Sequence, residues 1–310
     1  MATYLYTTPP SLKYRIVVNT INFFQSKTAI QRDLSNNRLP IQSYDIYKSP
    51  LKYKIKSTTK IDIFDVHHIA HQDAKPVIVL YLHGGGYISG FMKIHYDFIN
   101  KLVDELNVQV IIPDYPLAPS YTYQTTINMI EESYLAILQD YPDHQIILMG
   151  DSAGGGLALA LYLKLKQTTK RLPKKIIAIC PCVDIALDDP KILEYLKVEP
   201  ILKDLDGIQQ IAEIYAEGDH KNPLVSPYYG DFSGIEDLTV FIGTNDILYP
   251  DCERFRAKLE ASNIQHNFFV YQNMCHCWML YNEFDESRHA FEHISAILNQ
   301  QDELNHTLCA

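Results

Sequence analysis

The chain has 310 residues, 47% of them apolar and 21% charged, an ordinary balance for a globular protein that can bury one large core or two smaller ones. A net charge of −10 argues against a nucleic-acid partner, which needs a basic face. The opening Met1-Ala2-Thr3-Tyr4-Leu5-Tyr6 has neither the basic nor the apolar region of a signal peptide, and no apolar run approaches the ~18 residues of a transmembrane helix.

Residues 1–50 are polar and aromatic. Within them Leu12, Ile16, Val17, Ile21 and Phe24 recur at helical spacing between Ser11 and Phe24, which predicts a helix packed on the body of the protein or forming part of a lid. Alternation from Tyr53 to Val66, with Ser57-Thr58-Thr59-Lys60 as its turn, predicts an antiparallel hairpin. His67, His68 and His71 follow and read as solvent-exposed loop histidines. The rhythm then changes. Apolar strands at 77–82, 108–112, 146–149, 176–180, 239–243 and 267–271 alternate with helices at 94–106, 125–138, 157–166, 252–262 and 286–298. That alternation predicts a mainly parallel sheet covered by helices on both faces, with the hairpin as an antiparallel edge. Leucines at every second position from Leu157 to Leu165 mimic a strand. Leu, Ala and Lys without β-branched residues favour a central helix apolar nearly all round. Residues 184–223 break the alternation and read as an insertion over the C-terminal edge of the sheet.

Four strand ends carry the chemistry. Gly150-Asp151-Ser152-Ala153-Gly154 fits G-x-S-x-G, the strand-to-helix turn that presents a serine hydroxyl. A Cβ at either flanking glycine would collide with neighbouring backbone. His83-Gly84-Gly85-Gly86 follows the strand at 77–82, and its glycines let backbone N–H groups approach a ligand, as in the oxyanion loops of lipases and esterases. His83 is expected to brace that loop. Asp246 and His276 each follow a strand, completing the chain order Ser152, Asp246, His276 for a nucleophile, an orienting acid and a base. The six cysteines, at 180, 182, 252, 275, 277 and 309, read as reduced thiols of a cytoplasmic protein. Cys275-His276-Cys277 invites a metal, but adjacent residues rarely wrap one tetrahedral ion, so no metal is expected.

The chain resembles the hormone-sensitive-lipase-like branch of the α/β-hydrolases, which includes bacterial carboxylesterases and arylacetamide deacetylase-like enzymes. The resemblance rests on His83-Gly84-Gly85-Gly86, Asp114-Tyr115-Pro116-Leu117-Ala118-Pro119, Gly150-Asp151-Ser152-Ala153-Gly154-Gly155, Ser226-Pro227, Asp246-Ile247-Leu248 and His276-Cys277-Trp278. It implies the α/β-hydrolase fold, with residues 1–50 as an N-terminal lid segment, 51–310 as the catalytic domain and 184–223 as a cap insertion. It implies Ser152, His276 and Asp246 as the triad, with the N–H groups of Gly84, Gly85 and Ala153 holding the oxyanion. It implies hydrolysis of small carboxylic esters, of short to medium acyl chain, through an acyl-enzyme and without a cofactor. An amidase or deacetylase on the same triad is the alternative. A non-catalytic receptor on this fold would lack the histidine. Tyr87, Ile88, Phe91 and Trp278 are candidates either for lining the substrate pocket or for packing in the core, and a homodimer stays open. Asn273 and Cys277 depart from the family by standing where glycine is frequent. Asn tolerates the left-handed backbone region, so the turn can survive.

Overall fold

The computed structural model describes residues 1–24 and 28–299. In chain order the elements are β1 (Ala2–Tyr6), α1 (Leu12–Phe24), α2 (Ala29–Ser35), β2 (Ile55–Ile61), β3 (Phe64–Ile69), β4 (Val77–Leu82), α3 (Lys93–Leu106) and β5 (Gln109–Pro113). There follow α4 (Tyr123–Asp140), β6 (Gln145–Asp151), α5 (Ala153–Thr168), β7 (Lys175–Ile179), α6 (Ile192–Tyr195) and α7 (Leu205–Ala216). The last four are β8 (Asp237–Gly243), α8 (Tyr249–Ala261), β9 (Asn267–Tyr271) and α9 (Asp285–Leu298). The strands form one nine-stranded sheet in the order β1-β9-β8-β7-β6-β4-β5-β3-β2. Neighbours from β1 to β5 run parallel, and β3 and β2 close that edge as the expected antiparallel hairpin.

The central strands are apolar because helices cover both faces. From Ile78 to Leu82 every residue of β4 is fully buried. Helix α5 is buried nearly all round, including Leu159, Leu161 and Leu165 at 0% exposure, as its composition predicts. Burying each leucine is worth ~1.5–3 kcal/mol, so the helix that carries the serine at its N-terminus is also a central stabilising element.

Four expectations are corrected. Residues 57–60 lie inside β2, paired with 65–68, and the chain turns at Asp62-Ile63. Asp62 takes the left-handed conformation (φ 54°) that aspartate tolerates. His67 and His68 are buried in β3 and not exposed. His68 bonds Gln109 (2.9 Å) and Tyr141 (2.9 Å), and His67 bonds Thr58 (2.8 Å). The first six residues are not lid: β1 extends the sheet beside β9, with Tyr4 stacked on Phe269 (4.6 Å) and Tyr6 on Tyr271 (4.8 Å). Helix α1 buries Tyr14 and leaves Leu12 and Ile16 exposed, so its inward face is rotated from the one its apolar spacing marks. The five described cysteines are buried and unpaired; Cys309 lies outside the described residues. Among those residues no helix is long and apolar enough to cross a membrane.

Candidate active site

Four strand ends converge, as ligand sites of parallel α/β sheets do. Ser152 sits between β6 and α5 with φ 55° and ψ −122°, a strained conformation that costs ~1–3 kcal/mol and lifts the hydroxyl out of the turn. The flanking glycines are obligatory. A Cβ at Gly150 would enter the carbonyl oxygens of Gly154 and Leu82, and one at Gly154 those of Leu82 and His83. Ser152 Oγ lies 2.8 Å from His276 Nε2, and His276 Nδ1 lies 2.7 Å from Asp246 Oδ2. The other oxygen of Asp246 accepts from the N–H of Leu248 (2.9 Å), which fixes the carboxylate plane. All three predicted side chains therefore meet in one hydrogen-bonded line. Burial disfavours the imidazolium, but the charge and hydrogen bond of Asp246 outweigh it, with help from Glu199 and Asp151, and raise the pKa of His276. A base tuned upward in this way readily takes a proton from a hydroxyl.

The loop that bears His276 accommodates both non-glycine residues, Asn273 as expected. Asn273 (φ 64°) and Cys277 (φ 50°) both adopt the left-handed region. The loop is held from several sides. The hydroxyl of Tyr14 donates to Asn273 O (3.1 Å) and accepts from Cys275 N–H (2.7 Å). Asn273 N–H donates to Thr244 Oγ1 (2.9 Å), and Cys277 N–H to Cys180 Sγ (3.3 Å). Cys180, His276 and Cys277 place donor atoms within 4.8 Å of one another, a different trio from the one the sequence suggests. Both ring nitrogens of His276 are already engaged, by Asp246 and Ser152, and burial pushes the Cys180 thiol up to about 11. We read the trio as packing around the histidine loop.

The glycine loop departs from expectation at Gly84. Gly84 N–H donates to Asp151 Oδ1 (3.0 Å), and Gly84 does not line the cavity in front of Ser152, whereas Gly85, Gly86 and Ala153 do. Among the described residues no protein acceptor is bonded to the N–H groups of those three. Asp151, the variable residue of the serine turn, is the anchor that sequence reasoning missed. Tyr81 OH donates to it (2.6 Å), and His95 Nε2 stands 3.4 Å away. Burial opposes its charge, but His95 and Tyr81 outweigh that and hold the carboxyl below its ordinary value. His83 braces the loop as expected. It stacks on Tyr115 (4.2 Å), which donates to its carbonyl (2.5 Å), and burial beside His95 lowers its pKa to about 3. The motif Asp114–Pro119 thus serves the loop through Tyr115.

The cavity measures ≈ 310 Å³. Ile30, Leu39 and Ile41 close it from the N-terminal segment, and Ile201, Leu202, Ile208 and Ile211 from the insertion. Tyr87 and Ile88 line it. Phe91 and Trp278 do not. Phe91 stacks on Tyr96 (5.2 Å) in the core, and Trp278 is fully buried against Tyr271 (5.0 Å), because both side chains face helices and sheet and not the mouth of the strands.

Residues 79–280 match the model of a family described as having the α/β-hydrolase fold. The chain belongs to the α/β-hydrolase fold family. Its motifs and its relatives place it in the hormone-sensitive-lipase-like branch. An esterase of Acinetobacter venetianus is 31% identical over 238 residues, 76% of this chain and 78% of that one. An acetyl-hydrolase of Streptomyces hygroscopicus is 29% identical over 245 residues, 76% and 82% of the two chains. Among solved structures, a hormone-sensitive lipase from a metagenome library superposes with a TM-score of 0.78 at 25% identity, covering 92% of this chain and 98% of that one. An esterase from the bacterial hormone-sensitive lipase family shares the fold with a TM-score of 0.79 at 24% identity, over 95% and 99% of the chains.

Proposed function

We propose that this α/β-hydrolase cleaves small carboxylic esters through an acyl-enzyme on Ser152. The observation that carries the reading is the unbroken line from Ser152 Oγ to His276 Nε2 (2.8 Å) and on to Asp246 (2.7 Å), at the floor of an apolar cavity. In the first half-reaction His276 takes the proton of Ser152 as Oγ attacks the carbonyl carbon. The tetrahedral oxyanion is held by the N–H groups of Gly85, Gly86 and Ala153, and Asp246 steadies the imidazolium. His276 then protonates the leaving alcohol. In the second half water, deprotonated by His276, releases the acid and restores Ser152. The relatives known as an esterase and an acetyl-hydrolase support ester chemistry here.

A cavity of ≈ 310 Å³ lies at the low end of the ~300–1,000 Å³ range of ligand pockets. That size, with isoleucine and leucine walls, suits a short to medium acyl chain. Residues 7–24, 28–50 and 184–223 act as the cap that bounds it. Buried, unpaired thiols fit a reducing compartment such as the cytoplasm. The test is a p-nitrophenyl ester series from acetate to laurate. Turnover is expected to peak between butyrate and octanoate and to fall at laurate. Absence of turnover on every ester, with turnover of a matched anilide, would move the protein to the amidases.

A further inference from the structure

The cap insertion touches the histidine loop through a buried carboxylate. Glu199, between α6 and α7, is 1% exposed and lies outside the set of residues lining the substrate cavity. Its Oε2 accepts the backbone N–H of His276 (3.0 Å), and its Oε1 accepts the backbone N–H of Ile201 (2.6 Å). One side chain therefore ties the residue that carries the imidazole to a residue that walls the acyl cavity. The contact with His276 is remote in sequence: Glu199 precedes it by 77 residues.

The charge of Glu199 needs a reason. A buried carboxylate is costly unless paired, and a second one, Asp246, is already committed to the same histidine. An amide or hydroxyl would satisfy a backbone N–H without that cost. The titratable groups that face Glu199 are Asp246 from the loop after β8, His276 and Cys275 from the loop after β9, Tyr281 beyond it, and Tyr14 from α1. Of these only His276 can become a cation. Burial, then the negative charge of Asp246, raise the pKa of Glu199 above the ordinary carboxylate range, with His276 and the two backbone N–H groups pulling the other way. In return Glu199 helps to raise that of His276.

We propose that Glu199 is a positioning residue of the reaction: it clamps the His276 backbone to the cap, and its charge supports the imidazolium that forms as Ser152 attacks. The inference rests on the serine-hydrolase reading above. It makes the cap part of the catalytic apparatus, since displacing Ile201 pulls on the same carboxylate that orients His276.

Glu199→Gln and Glu199→Asp in the full chain test it, with kcat and KM for p-nitrophenyl butyrate measured from pH 5 to 9. Glutamine keeps one acceptor, sets an NH₂ against the other N–H and removes the charge. In Glu199→Gln kcat is expected to fall about ten- to a hundredfold through misplacement of the base, with KM within about threefold. Loss of a nearby negative charge lowers the pKa of His276, so the acid limb of kcat/KM moves to lower pH by about one unit. Glu199→Asp keeps the charge and is expected to restore the limb and part of kcat. An unmoved limb in Glu199→Gln, or equal damage in both variants, would reduce Glu199 to packing and overturn the proposal. A fluorophosphonate separates the two levels of the argument: label on Ser152 of both variants keeps the hydrolase reading whatever the kinetics show, and an unlabelled wild-type protein sinks that reading first.

Discussion

Substituting alanine at each of two adjacent glycines should give opposite outcomes. At Gly85 (φ 119°) a Cβ would stand 2.6 Å from Ser89 O and 2.9 Å from Ser89 Cβ. Neither atom can yield easily, because Gly85 O accepts from the N–H groups of both Ile88 (3.1 Å) and Ser89 (3.0 Å) and closes the turn on itself. The backbone must shift, and the N–H groups of Gly85 and Gly86 shift with it. Losing one oxyanion donor costs ~3 kcal/mol of barrier, so Gly85→Ala should lower kcat by at least about 10²-fold. At Gly86 (φ 60°) a Cβ meets nothing nearer than Ile88 Cγ1 at 3.9 Å. Alanine there costs ~1–2 kcal/mol of stability for its left-handed backbone, while the N–H stays in place and kcat should change less than about fivefold. The assay is kcat on p-nitrophenyl butyrate beside thermal unfolding of each variant. Equal losses of kcat, or a near-wild-type Gly85→Ala, would refute the assignment of the oxyanion donors.

Three further outcomes follow from charge. Because His276 must be neutral to act and its pKa is raised, kcat/KM should decline as pH falls through a value above the ordinary ~6.5 of histidine. Asp246→Asn should lower kcat by ~10³–10⁴-fold, since the ring loses its tautomer and its countercharge; a loss under tenfold contradicts the role of Asp246. Asp251 concerns stability. Burial and the neighbouring Asp184 raise its pKa to about 7 against the pull of Arg254. A raised folded-state value stabilises the protein fully below the unfolded-state ~4 and is lost as pH rises through about 7. Asp251→Asn should therefore flatten the decline of Tm between pH 5.5 and 8 by ~2 °C or more, and an unchanged slope would refute the argument.

What could be read from the sequence follows burial. The central strands are legible because both faces are covered, so Val77–Leu82 and Ile146–Met149 are continuous apolar runs. The edges are not. Strand β1 alternates half-buried and exposed residues over five positions, too short and too weak a pattern to separate from a tail. Strand β2 faces solvent with Ser57, Thr58, Thr59 and Lys60, which mimic a turn. His67 and His68 are buried by Thr58, Gln109 and Tyr141, partners supplied largely by remote segments. The serine turn and the proposed base and acid are legible because strand ends in a parallel sheet must converge. Which N–H groups stay free is not, since it depends on the reach of the Asp151 carboxylate to Gly84. Glu199 is hidden for the same reason: its partner is the backbone of His276, and a backbone N–H leaves no mark in a sequence.

The most direct test of the central claim is covalent labelling of Ser152. Wild-type protein treated with a fluorophosphonate and analysed by peptide mass spectrometry should carry one adduct on Ser152. His276→Ala should slow that labelling by several orders of magnitude, and Ser152→Ala should fold, remain unlabelled and hydrolyse esters only at background. Undiminished turnover in Ser152→Ala, or an adduct on another residue of the wild-type protein, would contradict the account.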